Sequence, residues 1–163
     1  MKIIHVMIVF CLIAVGCSKV DNIDQIGTDQ VGGISISGYV VKKEEGQFLL
    51  VSPQVSFNND YEANWVVSNE VVELGQLIEV LVVNGEINAS DPGKVTAESI
   101  TILEDTPHHG AKNAIEYALL QHHYMDVPII KTITYSKDKK EWLVVLVDKK
   151  DGDKREVSVT LKE

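Results

Sequence analysis

Apolar positions run almost unbroken from Ile3 to Val15, then scatter, then settle into a period of two. The first run is too short for a membrane-spanning helix, which takes about 20 apolar residues. From Ser18 to Gly32 only Val20, Ile23, Ile26 and Val31 interrupt a polar stretch with no sustained period, which predicts a tether over residues 17–33. From Ile34 the alternation Ile34, Ile36, Gly38, Val40 against Ser35, Ser37, Tyr39, Val41 predicts a half-buried strand, with Gly38 as a bulge or bend. Further strands are predicted over Phe48 to Ser52, stopped by Pro53, and over Ala63 to Ser68, Leu77 to Val83 and Val95 to Leu103. Asn84-Gly85 reads as a two-residue hairpin turn, because both residues tolerate positive φ. Asp91-Pro92-Gly93 reads as another turn.

After residue 105 the period changes to that of a helix. Thr106-Pro107 supplies an N-cap and a first-turn proline. Ala111, Ala114, Ile115, Ala118, Leu119, His122 and Met125 then share one face, and Pro128 closes the element. Three strands follow over Ile129 to Tyr135, Glu141 to Val147 and Arg155 to Leu161. Trp142, Val144 and Leu146 or their alternates, with Ile133 and Tyr135, are expected to meet the helix. The pattern therefore predicts a mainly β chain: a small OB-like antiparallel barrel over residues 34–104, then an α+β module over 105–163 with one helix on a three-stranded antiparallel sheet.

The residues ahead of the tether change where this body is expected to sit. Lys2 precedes the apolar run, Gly16 offers the small residue a signal peptidase needs, and Cys17 follows it directly. Residues 1–16 resemble a lipoprotein signal peptide, with Ala14 where leucine is most usual. That resemblance implies cleavage between Gly16 and Cys17, lipidation of Cys17, and a chain held by its lipids on the outer, extracytoplasmic face of a cell membrane. The other cysteine, Cys11, would leave with the signal. The formal net charge is −9, and Lys2 is the only Lys, Arg, Asp or Glu in the first sixteen residues. So acidic a body argues against nucleic acid as a partner and against electrostatic attraction to anionic lipid.

Several segments carry a family resemblance. Gly38-Tyr39-Val40-Val41-Lys42-Lys43, Leu49-Leu50-Val51-Ser52-Pro53, Ala63-Asn64-Trp65-Val66-Val67-Ser68-Asn69 and Leu74-Gly75-Gln76 resemble the YobA-type domain of unknown function. That domain occurs in small lipoproteins of bacilli and their relatives. The likeness covers roughly residues 35–104 and brings no established activity. Val80-Leu81-Val82-Val83-Asn84-Gly85 lacks a tryptophan common in that family, and Asp91 stands where the family tends to have tyrosine. The Leu74-Gly75-Gln76 opening and Thr96-Ala97-Glu98-Ser99-Ile100-Thr101-Ile102-Leu103 also look like an OB-type barrel. The order of elements after residue 105 is similar to PepSY-type or cystatin-like units, which implies an inhibitor or modulator of a secreted protease as an alternative role.

Candidate chemistry is sparse. The doublets His108-His109 and His122-His123 suggest metal ligands, but a helix between them would hold them roughly 20 Å apart. His122 and Asp126 are four apart and could share an ion on one helical face, one or two ligands short of a site. Gly33-Ile34-Ser35-Ile36-Ser37 misses the nucleophile-elbow pattern and sits on a strand. Asp148, Asp151 and Asp153 lie in a turn, where solvation accounts for them, and lack the spacing of a calcium loop. A binding face on the barrel is expected at Phe57, Tyr61 and Trp65. The expectation is a non-enzymatic module without cofactor, binding an extracytoplasmic protein, peptide or glycan; a metal-dependent enzyme is the third reading.

Overall fold

The computed structural model describes residues 33–55, 61–88, 90–103, 110–150 and 156–163. The signal peptide, Gly16, Cys17, Phe57, His108, His109, Thr106, Pro107, Asp151 and Asp153 lie outside the described residues, as does the tether up to residue 32.

Five strands close into a barrel: β1 (Ile34–Glu44), β2 (Gln47–Val55), β3 (Tyr61–Val67), β4 (Leu77–Val82) and β5 (Gly93–Ile102). Their order around the barrel is β1-β2-β3-β5-β4. Four of the pairings are antiparallel, as expected, but β3 and β5 run parallel, with Asn64 opposite Gly93 and Val67 opposite Thr96. The difference follows from connectivity. The chain crosses from β3 to β4 on the far side of β1, and β5 then folds back from β4 alongside β3. Long β1 joins the two halves by pairing with β4 through its first part and with β2 through its last.

Three local expectations need correction. The β1 bulge lies between Val40 and Lys42, not at Gly38. Gly38 is instead a close-approach residue: a Cβ there would lie 2.5 Å from the Val51 carbonyl oxygen. Pro53 does not end β2, because it falls where the β2–β3 register is already broken between Val51 and Val55, so no ladder hydrogen bond needs its missing N–H. Asn84 and Gly85 do take positive φ, 53° and 64°, but within a 3-10 turn (Val83–Gly85). The chain then makes an excursion, with a single bridge from Asn88 to Lys94, before β5 pairs with β4.

The second half forms α1 (Ala111–Gln121), β6 (Pro128–Ser136), β7 (Glu141–Asp148) and β8 (Glu156–Lys162), with sheet order β6-β7-β8. Ala111, Ala114, Ile115, Ala118 and Leu119 are the buried helix positions, as the 3.6 period predicts. The helix starts behind Gly110, whose φ of 117° favours glycine, and it stops at Gln121 rather than continuing toward Pro128. His122 N–H closes it by bonding to the Ala118 and Leu119 carbonyls, and Met125 reaches the core from the following turn.

Two cores result. Val40, Phe48, Leu50, Val66, Val72, Ile78, Val80, Val82 and Val95 fill the barrel. A second core contains Val41, Leu49, Val51 and Ala63 from the outside of β1, β2 and β3 together with the helix face, Ile129, Ile130, Trp142, Val144 and Leu146. Barrel and α+β module are therefore not separate domains; from Gly33 on, the described residues form one compact unit. Gly75 marks the closest approach. A Cβ there would lie 2.6 Å from the Lys112 carbonyl oxygen and 3.1 Å from the Glu116 nitrogen, so the helix backbone rests on the barrel backbone. Lys112 Nζ adds an ion pair to Glu73 Oε2 at 2.5 Å across the same seam.

Candidate functional site: a cleft at the seam

A cleft of about 480 Å³ opens where the halves meet, lined by Trp65, Asp91, Pro92, Asp126, Val127, Lys149 and Lys150. Four segments converge on it. Trp65 comes from β3, half-buried with its neighbours on the seam core. The parallel pairing of Asn64 with Gly93 and Trp65 with Lys94 brings Asp91 and Pro92 up beside it. Asp126 and Val127 come from the turn before β6, and Lys149 and Lys150 follow β7.

One carboxylate fastens the last two segments together. Asp148 is only 7% exposed. Its Oδ2 accepts the Asp126 N–H at 2.9 Å, and its Oδ1 accepts the Val127 and Lys150 N–H groups at 3.2 Å each. Lys149 N–H donates to the Val127 carbonyl at 3.0 Å. A buried carboxylate held by three amide donors is a stable way to fix a turn, since those donors would otherwise lose their water without replacement. Asp148 is thus a structural clasp, not the solvated turn residue expected from its acidic surroundings.

Two ion pairs rim the cleft. Lys149 Nζ reaches Asp91 Oδ1 at 2.6 Å, joining the two halves, and Lys150 Nζ reaches Asp126 Oδ2 at 2.7 Å. The hydrogen bond from Lys150, its charge and the nearby charge of Lys42 hold the Asp126 carboxyl below its ordinary range. An aromatic side chain and two apolar residues, Pro92 and Val127, thus line the same cleft as charges of both signs. Such a surface suits binding, with apolar contact beside fixed polar groups.

Comparison with protein-family models, curated proteins and solved structures finds no match.

Of the residues singled out in the sequence, Trp65 and Asp126 meet in this cleft. Tyr61 does not; it lies at the start of β3, half-buried against the seam core. OB-type barrels commonly bind along strands 2 and 3. In this chain the outward residues Leu49, Val51 and Ala63 of those strands are covered by its own second half. His122 and Asp126 do not share a helical face, because the helix ends before both. The His122 ring Nδ1 lies 2.9 Å from the Tyr124 hydroxyl, and His122 lines a different hollow with Lys42, Lys43 and Leu74. Among the described residues no group of three His, Cys, Asp or Glu side chains could hold a metal ion. Ser35 and Ser37 line a shallow hollow with Ser52, Glu62 and Asn64. Sequence reasoning missed Lys149, Lys150 and Val127. Their only local sign is that charged residues directly follow the apolar β7 run.

Proposed function

We propose that this chain is a lipid-anchored extracytoplasmic lipoprotein, related to YobA-type proteins, whose folded part is a non-catalytic binding module. Its ligand is an extracytoplasmic protein, peptide or glycan, taken in the cleft at the seam. The observation that carries this reading is the cleft itself: Trp65 lines it together with two charge pairs, and both halves of the fold contribute to it. The closure of the strand 2–3 face supports the same reading, because it removes the usual alternative surface of such a barrel.

The test is capture of cell-envelope material by the full chain and by Trp65→Ala. The parent chain should retain a protein, peptide or glycan that the variant loses. Equal retention by both, or none by either, would remove the cleft from consideration. The anchor is tested separately. Cys17→Ala expressed in a bacterium should appear in the medium or as uncut precursor, and unchanged mass and membrane retention would sink the lipidation.

A further inference from the structure

The barrel has no free edge, but the second sheet has two, β6 and β8. They differ. β6 begins at Pro128, is broken by a bulge between Ile130 and Thr132, and contacts β1 and β2 of the barrel. β8 is regular: its pairing with β7 runs from Glu156 opposite Val147 to Lys162 opposite Glu141 without a register shift. It carries no proline, bulge or inward charge, and its two charged residues, Glu156 and Lys162, stand at its ends. Among the described residues nothing pairs with its outer side.

The backbone polarity of that edge can be read from one hydrogen bond. Glu163 N–H donates to the Lys140 carbonyl at 3.1 Å, continuing the β7–β8 ladder. In an antiparallel ladder directly opposed pairs alternate between bonded and non-bonded. Leu161, Val159 and Val157 therefore share the inward orientation of Glu163. Glu156, Ser158, Thr160 and Lys162 direct their N–H and C=O groups outward.

We propose that two copies of this chain pair through β8, antiparallel and centred on Val159, to form a continuous six-stranded sheet. This register pairs every outward-directed residue of the strand. Glu156 lies opposite the partner's Lys162, and Ser158 opposite the partner's Thr160, each pair occurring twice, with about eight main-chain hydrogen bonds in all. Registers shifted by one residue about the axis leave outward groups at one end unpaired. The side chains agree with the backbone. Opposite charges face each other at both ends, where the partner's Lys162 would join the pair that Glu156 already makes with Lys131 at 2.7 Å, and small hydroxyl residues face each other between them. On the helix side Val157 meets the partner's Leu161, and Val159 meets the partner's Val159. All three of these residues are half-buried against the seam core, leaving the remainder of each side chain for the partner to cover. Charge and apolar pattern are thus self-complementary about one residue, as a two-fold interface requires. The proposal is independent of the cleft and of the anchor.

The experiment is cross-linking of the full chain in the cells that produce it, with membrane and soluble fractions read together. A non-hydrogen-bonded antiparallel pair has Cα atoms about 4.5 Å apart, within disulfide range. Val159→Cys should therefore yield a reducible species at twice the chain mass that the parent chain does not give. Val157→Cys alone, about 13 Å from its own symmetry mate, should not cross-link, whereas Val157→Cys combined with Leu161→Cys should. No dimer from Val159→Cys, or equal dimer from Val157→Cys alone, overturns the pairing. A product at any other mass places a different occupant on the edge and also overturns it. A surface variant guards against misfolding. Lys162→Glu should weaken the dimer roughly tenfold in sedimentation, with the urea midpoint measured alongside because Lys162 also lies opposite Glu141 within the chain. An unchanged dimer in Lys162→Glu overturns the charge register.

Discussion

Replacing Gly75 by alanine tests whether the barrel and the helical half are one folding unit. Two costs arise. The residue has φ +78°, where an alanine costs about 1 kcal/mol over glycine. The added Cβ would also meet the helix backbone, at 2.6 Å from the Lys112 oxygen and 3.1 Å from the Glu116 nitrogen, with the Ile115 Cβ at 3.3 Å. None of these atoms ends a flexible side chain, so helix and barrel must move apart, at a further cost of about 1–3 kcal/mol. Gly46 isolates the first cost, because its φ is +72° and nothing lies within 4 Å of its added Cβ. Gly46→Ala should therefore lose about 1 kcal/mol and Gly75→Ala about 2–4 kcal/mol. For a chain of this size each kcal/mol lowers Tm by roughly 2–4 °C. The chain holds two tryptophans, Trp65 in the barrel and Trp142 in the second sheet. Urea titrations of the parent, of Gly46→Ala and of Gly75→Ala are read by tryptophan fluorescence, which reports the seam core on which both indoles pack, and by far-ultraviolet circular dichroism, which reports the strands of the barrel as well. Both probes should report a single transition in the parent chain and shift together in Gly75→Ala. Equal losses at the two glycines, or separate transitions for the two probes in the parent, would refute the shared core.

Asp148→Ala should destabilise the chain by about 3 kcal/mol, because three backbone donors lose a charged acceptor, and Asp148→Asn by less; denaturant midpoints measure both. The hydrogen bond and charge of Lys112 hold the Glu73 carboxyl below its ordinary range. Between that depressed value and the ordinary one the unfolded chain binds more protons than the folded chain. The contribution of Glu73 is therefore present above the ordinary carboxylate range and lost as pH falls through the folded value. Glu73→Gln should flatten the loss of stability from about pH 5 downward, measured as midpoint against pH. Lys149→Ala, which breaks the rim pair with Asp91, should change stability by under about 1 kcal/mol while altering what the cleft retains, so unfolding and capture assays together separate the two effects.

The elements themselves were legible because their periods are clean. Ala111, Ala114, Ile115, Ala118 and Leu119 recur at helical spacing, and all five are buried. Trp142, Val144 and Leu146 alternate along β7 and meet that face. The seam was also marked, in a weaker code. Val40-Val41 and Phe48-Leu49-Leu50-Val51 are continuous apolar runs, the pattern of strands covered on both faces. The parallel closure of β3 on β5 has no local signal, since it depends on where two distant segments meet after the crossover. The cleft is hidden for the same reason. Its residues come from four stretches, and the pairing of Asn64 with Gly93 that brings two of them together is a matter of register. Asp148 was misread because a carboxylate in a charged turn looks solvated until its backbone partners are known.

Strand β2 stands as a party wall between two rooms, Phe48 and Leu50 facing one and Leu49 and Val51 the other. A wall of that kind restricts how the gene can be rearranged. Cutting the chain after the barrel would leave Val41, Leu49, Val51 and Ala63 facing water, and burial of each larger side chain is worth about 1.5–3 kcal/mol. Set against the 5–15 kcal/mol that holds a typical domain together, that exposure consumes much of the margin. The barrel is therefore not a portable cassette.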